Sequence, residues 1–241
     1  DRLLEAVGGA CAALATEPAA FQPAAFALPA GLSQPERTIV AATFTAEPVL
    51  AALEMFGGAL PGMRFELAPY DQVFGLLADA ASPFREARGG CNLILLRTED
   101  LLRRRSGEDE DESIAHRERP LTPAEIDAFE EQIELFLELL RASARATTRT
   151  HIVLLCPSGE SEVDHSDEPN LDPQALIAAG SRRIEAEAGS MPGVYAIHFD
   201  DCACDYLNGP IYDAHGDRLG HLPYHPPVSA ALGAVGARAI R

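Results

Sequence analysis

Apolar runs and amphipathic segments alternate along the chain from about residue 37 onward. The first run, Thr38 to Phe44, is continuously apolar apart from its threonines, and apolar residues three or four apart follow it as far as Phe56. A short apolar run followed by helical spacing is typical of a buried strand that leads into a helix.

Four further strands are predicted from similar runs. Met63 to Ala68 alternates apolar and charged residues, "CNLILLR" is apolar on both faces, and "THIVLLC" and "GVYAIHF" are further short apolar runs. A strand that is apolar on both faces belongs inside a parallel sheet covered by helices. The alternation predicts a three-layer α/β/α sandwich with a five-stranded, mostly parallel sheet.

The clearest helix signal is "TPAEIDAFEEQIELFLELLRA". Thr122 is the predicted N-cap, Pro123 takes the first helical position, and Glu125 completes a capping box. Shorter patterns predict other helices at Leu3 to Ala15, at Tyr70 to Leu77, after an Asp172 cap, and within Pro223 to Ile240.

The chain divides by composition into two parts. Residues 1–36 are predicted to form a short helix and a Pro/Ala-rich linker, and residues 37–241 the α/β domain. The charged stretch 103–119, "RRRSGEDEDESIAHRER", is predicted to be a surface loop within that domain. Because the chain opens with Asp1 rather than Met, we expect it to be an excised piece of a longer polypeptide.

Charge and cysteine content narrow the classes of partner and the compartment. A formal net charge of -18 repels nucleic acid and anionic membranes. No stretch approaches the ~20 apolar residues of a membrane span. The five cysteines are odd in number and contain no CxxC pair, so we expect a reduced, cytoplasmic protein.

Candidate chemistry lies where the predicted strands end. In parallel sheets, ligands bind beyond the carboxyl ends of the strands. Thr45 follows the first strand and is either a nucleophile or an N-cap of the next helix, with the cap favoured. Arg97 ends the third strand and either holds an anion or pairs with Glu99 or Asp100.

Four blocks, in order, carry a resemblance to known proteins. They are "VAATFTAEPVLAAL", "FELAPYDQVFGLL", "NLILLRTEDL" and "DRLGHLPYHP". Their arrangement looks like that of an SGNH-type (GDSL) hydrolase. More specifically, it resembles the N-terminal region of FkbH-type proteins, the HAD-superfamily glyceryl-loading proteins of polyketide and nonribosomal peptide assembly lines. The resemblance covers about residues 37–241 and implies an SGNH-like (flavodoxin-like) topology.

The resemblance also implies roles for individual residues. Thr45 falls at the nucleophile position, His221 at the base position, and Asp217 lies four residues before it rather than the usual three. The substrate-binding positions implied by the strand ends are Tyr70, Asp71, Gln72, Arg97, Glu99 and Asp100.

The oxyanion hole departs from the hydrolase pattern. The second strand ends in Pro69-Tyr70 without the usual Gly, and "RTED" stands where hydrolases carry Asn. An ionised carboxylate cannot donate a hydrogen bond and repels an oxyanion. The resemblance therefore predicts impaired hydrolysis or none.

Phosphoryl and metal chemistry are not predicted. Asp200 and Asp201 in "HFDDCACD" are adjacent, whereas a HAD phosphatase needs Asp-x-Asp. Cys202 and Cys204 lie one residue apart, closer than in typical zinc sites, so no metal ligand is predicted. Cys156 is either a thiol near the site or, more in keeping with its apolar strand, a buried one.

The sequence thus predicts an assembly-line domain that handles or recognises acyl groups on the phosphopantetheine arm of an acyl or peptidyl carrier protein. We expect no cofactor of its own, and neighbouring megasynthase domains as partners. Two alternatives stay open: an active esterase, thioesterase or acyltransferase that uses Thr45, His221 and Asp217, and a non-catalytic docking module.

Overall fold

A computed structural model describes residues 36–57, 63–86, 89–103, 121–158, 173–203 and 209–240. Residues 36–241 form one compact unit. Nearly all of the helix and linker predicted for residues 1–36 and of the loop 103–119 lies outside the described residues, as do the Asp172 cap and Cys204; Glu36 is instead the first residue of a strand.

Five strands and eight α-helices are described, with a short 3-10 turn at Pro83–Arg85. The strands are β1 (Glu36–Ala42), β2 (Met63–Leu67), β3 (Cys91–Leu96), β4 (Thr150–Leu155) and β5 (Val194–His198). The helices are α1 (Glu47–Gly57), α2 (Val73–Ala78), α3 (Glu99–Arg103), α4 (Pro123–Ala146), α5 (Pro173–Gly189), α6 (Phe199–Ala203), α7 (Ala214–Gly220) and α8 (Pro226–Ala239).

All five strands are parallel and lie in the order β2-β1-β3-β4-β5. This confirms the predicted sheet and its flavodoxin-like topology. The chain turns from β1 outward to β2 and then back past β1 to β3. That reversal opens a crevice at the carboxyl ends of β1 and β3, the usual ligand position in such sheets.

Two hydrophobic cores lie on opposite faces of the sheet, and β3 contributes to both. Ile94 and Leu96 pack in the core under α2, α3, α4 and α5, whereas Leu93 and Leu95 pack in the core under α1 and α8. Successive strand side chains point to opposite faces, so a central strand must be apolar throughout. This confirms the interpretation of "CNLILLR".

The predicted capping box is present. The Thr122 hydroxyl accepts from the backbone N–H of Glu125, and the Glu125 carboxylate accepts from the backbone N–H of Thr122, 2.7 Å away. The second helix was placed too early by the sequence pattern. It begins at Val73 rather than Tyr70, because Asp71 has a left-handed φ of 53° that no α-helix contains.

Three short helices were missed: α3, α6 and α7. Each has five to seven residues, too few for the helical periodicity to register. The α7 helix depends on one cap instead, since the Asp213 carboxylate accepts from the backbone N–H groups of His215 and Gly216. Among the described residues, no helix combines the length and apolarity that a bilayer crossing demands.

Helices α1 and α8 approach each other through Gly233. A Cβ on Gly233 would lie 2.4 Å from the Ala52 Cβ and 2.9 Å from the Leu53 backbone nitrogen. Gly233→Ala should therefore cost about 1–3 kcal/mol of unfolding free energy by overpacking. Gly189→Ala makes the same change at the end of α5, where a Cβ meets nothing within 4 Å. We expect that control to be neutral or slightly stabilising in urea unfolding, and equal behaviour of the two variants would contradict the packing.

Candidate active site at the carboxyl edge of the sheet

The corner after β1 is tied to the loop after α7. The backbone N–H of Thr45 donates to the His221 carbonyl at 2.9 Å, and the Thr45 hydroxyl donates to the Gly220 carbonyl at 2.6 Å. Segments 175 residues apart in the chain therefore meet at one rim of the parallel sheet.

Thr45 does not cap the following helix. Helix α1 begins at Glu47, so Ala46 precedes its first residue, and the Thr45 hydroxyl hydrogen bond goes to Gly220. The N-cap prediction was wrong, because the helix starts one residue later than expected and Ala46 occupies the N-cap position.

Thr43 fills the end of β1. Its buried hydroxyl accepts from the Arg97 backbone N–H at 3.1 Å and donates to Asp100 Oδ2 at 2.8 Å.

A buried ion cluster lies beneath this corner. The Arg97 guanidinium is 0% exposed and contacts three carboxylates. Its Nη1 lies 3.3 Å from Asp100 Oδ1, its Nη1 and Nη2 both lie 3.1 Å from Asp217 Oδ2, and its Nε pairs with Glu99. Burial by itself would lower the pKa of Arg97. The surrounding carboxylates raise the pKa by more than burial lowers it, so the pKa of Arg97 lies well above its usual value.

Arg97 therefore pairs with the cluster's carboxylates, the second of its two predicted roles. With no exposed surface and three carboxylate neighbours, its guanidinium offers no donor to an external phosphate or carboxylate. Glu99 and Asp100 are also almost fully buried. Arg97, Glu99 and Asp100 can therefore contribute to ligand binding only indirectly, by positioning the side chains that they contact.

His221 lies at the surface end of the cluster in a left-handed backbone conformation, with φ 51°, at the C-cap of α7. Its Nε2 is 3.1 Å from Asp100 Oδ1 and 3.6 Å from Asp217 Oδ1, and its Nδ1 hydrogen-bonds the Tyr70 hydroxyl. A left-handed conformation costs a non-glycine residue roughly 1 kcal/mol, which the surrounding contacts must offset.

The structure brings only part of the predicted triad together. His221 lies near Asp217, but Asp100 is closer, and Asp217 bonds mainly to Arg97 and to the Tyr212 hydroxyl at 2.6 Å. The Thr45 hydroxyl is bound to Gly220, and the His221 ring nitrogens face Tyr70 and the carboxylates. A general base must reach the proton that it removes, at about 2.6–3.2 Å between heavy atoms.

The segment after β2 forms the outer wall of the site. Tyr70 is 56% exposed, and its ring stands edge-on to His221 with the centroids 5.6 Å apart. Asp71 forms the left-handed turn, and Gln72 occupies the N-cap position of α2 without a side-chain cap bond. Of these three predicted binding residues, Tyr70 contacts His221 directly.

Tyr212 was missed by the sequence analysis. Its ring lies 5.2 Å from the Arg97 Cζ, and its hydroxyl donates to Asp217. An isolated antiparallel bridge to Tyr224 places it there, and no spacing in the sequence indicates such a bridge. The bridge closes the segment that carries α7, so it also positions His221.

Cys156 is the buried thiol that its strand suggested. It is 3% exposed, and burial, together with the nearby Asp100, raises its pKa well above the usual value. Such a thiol stays protonated and unreactive. Within the described segments, no group of three or more His, Cys, Asp or Glu side chains is arranged to hold a metal ion.

Comparison with protein-family models and with curated proteins gives no match for this chain. Solved structures do match. One is the N-terminal part of a Bacteroides fragilis protein that contains a phosphatase domain complexed with Mg: TM-score 0.56, 14% identity, 87% of this chain. This chain spans 52% of that one, about half its length.

Another match is phospholipase A1 from Streptomyces albidoflavus NA297. It has a TM-score of 0.53 and 8% identity, and the alignment covers 87% of this chain and 100% of that one. Likeness at such identities bears on the fold alone. The chain has an SGNH-hydrolase-like α/β fold, with a five-stranded parallel sheet between helices.

Proposed function

We propose that this domain belongs to a polyketide or nonribosomal peptide assembly line and recognises acyl groups carried on the phosphopantetheine arm of a carrier protein, without the usual SGNH hydrolysis. One observation supports the absence of hydrolysis. The Thr45 hydroxyl donates to the Gly220 carbonyl, while His221 faces Tyr70 and Asp100. A threonine in this arrangement has no base to activate it.

The acidic cluster also disfavours the hydrolytic transition state. Three carboxylates contact the Arg97 guanidinium beneath the corner, and an ionised carboxylate cannot donate a hydrogen bond to an oxyanion. An oxyanion forming there would be repelled, and loss of even one oxyanion donor costs about 100-fold or more in rate. The assembly-line context rests on the four sequence blocks, all of which border this edge: the β1 corner, "APYDQ", "RTED" and "GHLPY".

The rim of the site offers apolar surface for an acyl chain and its arm. Tyr70 contacts His221, and Leu219 and Leu222 lie two residues before and one residue after it in the chain; the three side chains are 56%, 73% and 36% exposed. We call these three side chains the His221 rim. Exposed leucine and tyrosine beside a buried polar cluster would contact the methylene groups of the ligand.

Titration with a carrier protein in its apo, holo and acyl forms tests the proposal. We expect the acyl form to bind most tightly, and Leu219→Glu to weaken its binding at least about tenfold, which corresponds to 1.4 kcal/mol. Leu135→Glu places the same charge on α4, where Leu135 is 40% exposed, and should change nothing. Absence of binding across several acyl chains would refute the proposal, and equal binding of all three carrier forms would favour a docking module.

An active esterase or acyltransferase is the second candidate, because the Thr45 and His221 backbones are directly hydrogen-bonded. A small shift of either side chain could then bring hydroxyl and imidazole together, with Asp217 behind them. This version predicts turnover of an activated ester that Thr45→Val abolishes. The esterase or acyltransferase candidate would be dismissed if the domain does not turn over the ester, or if a folded Thr45→Val variant turns it over as fast as the unmodified chain.

A further inference from the structure

A continuous chain of hydrogen bonds runs from solvent to the buried cluster through Tyr70, His221 and Asp100. The Tyr70 hydroxyl meets Nδ1 of His221, Nε2 lies 3.1 Å from Asp100 Oδ1, and Asp100 Oδ2 accepts from Thr43 at 2.8 Å. A hydroxyl, an imidazole and a buried carboxylate in this order are the parts of a nucleophile, base and orienting acid.

The carboxylates determine which nitrogen of His221 carries the proton. Asp100 and Asp217 both face Nε2, and ionised carboxylates only accept hydrogen bonds, so Nε2 must be the donor. In the neutral ring, Nδ1 then presents a lone pair, and the Tyr70 hydroxyl donates to it. The imidazole is therefore oriented to take a proton from the phenol.

We infer that Tyr70 is an acyl-accepting nucleophile activated by His221, with Asp100 as the positioning residue. Tyr70 Oη attacks the carbonyl carbon of an acyl thioester, the phenolic proton passes to His221 Nδ1, and the C–S bond breaks. The leaving thiolate takes that proton from Nδ1. The products are an acyl-tyrosine ester and a free thiol.

Backbone geometry supports this assignment independently of the side chains. In the described ranges, two non-glycine residues have positive φ: Asp71, directly after Tyr70, and His221. Strained backbone persists where the surrounding structure holds it, and it clusters at functional sites. Here both strained positions lie at the Tyr70–His221 pair.

Accessibility suits the role as well. Tyr70 is 56% exposed, so a carrier-borne thioester can reach the phenol, whereas Asp100 is buried and fixed by Thr43 and Arg97. The inference deepens the proposed function and takes its acyl donor from it.

The exposed Tyr195 on β5 gives a control within the same molecule. At 63% exposure it is more accessible than Tyr70, so accessibility alone predicts that Tyr195 reacts faster. We would treat the folded chain with phenylmethanesulfonyl fluoride, which replaces its fluoride with a phenolate oxygen and leaves an irreversible adduct. Peptide mass spectrometry then gives the rate at each tyrosine.

General-base assistance is worth about 100-fold or more, so Tyr70 should be labelled at least about tenfold faster than Tyr195. His221→Gln should lower the Tyr70 rate to that of Tyr195, and Tyr195→Phe should leave it unchanged. If Tyr70 is labelled less than about tenfold faster than Tyr195 in the unmodified chain, the inference is overturned, and this measurement does not depend on the folding of any variant. The inference is also overturned if a folded His221→Gln variant is labelled at Tyr70 as fast as the unmodified chain.

A second probe, an acyl thioester of N-acetylcysteamine, tests acyl transfer itself. We expect one acyl group on the Tyr70 peptide and none in Tyr70→Phe. Acyl-dependent carrier binding without acylation of Tyr70 would overturn this inference and leave the proposed function standing. Acylation of Tyr70 without acyl-dependent carrier binding would support this inference and refute the proposed function.

Discussion

Arg97→Ala should remove about 3–5 kcal/mol of unfolding free energy, the usual cost of breaking a buried ion pair by deleting one partner. Three carboxylates, Glu99, Asp100 and Asp217, would be left buried without their shared cation. Urea denaturation at neutral pH measures the loss. The expected value is a large part of the stability of an ordinary domain, about 5–15 kcal/mol.

Arg183 provides a matched control, because it too contacts three carboxylates. It pairs with Glu130, Glu134 and Glu187 between α4 and α5, but its side chain is 35% exposed. Solvent screens such pairs, so Arg183→Ala should cost no more than about 1 kcal/mol. Similar losses in the two variants would mean that burial does not govern the energy of the Arg97 cluster.

The second large effect concerns pH and a histidine at the opposite edge of the sheet. His151 is fully buried, its Nδ1 bonds the Arg149 carbonyl at 3.2 Å and its Nε2 the Ser143 hydroxyl at 3.0 Å. Its pKa is lowered to about 4, mainly because burial disfavours the charged ring. The positive charges of Arg149 and Arg85 lower the pKa further, whereas the hydrogen bond to the Arg149 carbonyl raises it in part. The neutral ring is therefore the form that the fold accepts.

Between pH 6.5 and 4 the unfolded chain protonates this histidine and the folded chain does not. The unfolded state binds more protons there, so stability falls as pH falls through that window. The full contribution is present above pH 6.5 and amounts to about 3 kcal/mol, at 1.36 kcal/mol per unit of pKa.

His151→Gln removes this titration. Although the variant should be less stable at pH 7, its stability should decline less between pH 7 and 4.5, by about 2–3 kcal/mol, than that of the unmodified chain. His215→Gln, at an exposed position on α7, should keep the original pH dependence. Parallel curves for His151→Gln and the unmodified chain would show that His151 does not titrate as expected.

The fold could be predicted because its determinants are local. A central parallel strand must be apolar on both faces, and "CNLILLR" shows that directly. The box formed by Thr122, Pro123 and Glu125 marks the start of α4 within four residues of sequence. The boundaries that were wrong, such as the start of α2, depend on single φ angles that the hydrophobic pattern does not report.

The edge at which Thr45 and the loop after α7 meet could be predicted from the sequence, but the hydrogen bonds formed there could not. Parallel topology brings strand ends together, which predicts that Thr45 and Arg97 lie at one edge, whereas the position of His221 was implied by the resemblance. Which hydrogen bonds form there depends on rotamers and on competition among partners. Asp100, rather than Asp217, lies closest to the imidazole because Arg97 and Tyr212 engage Asp217.

The tie between Thr45 and the loop after α7 has a consequence for the order in which this edge assembles during translation. The ribosome releases the β1 corner long before it makes residues 213–225, which supply the imidazole and one of the acids. Helix α8 follows still later and covers α1. A nascent chain can therefore complete the β1 corner long before the hydrogen-bond partners of Thr45 exist, and the corner is closed only once the segment after β5 has been made.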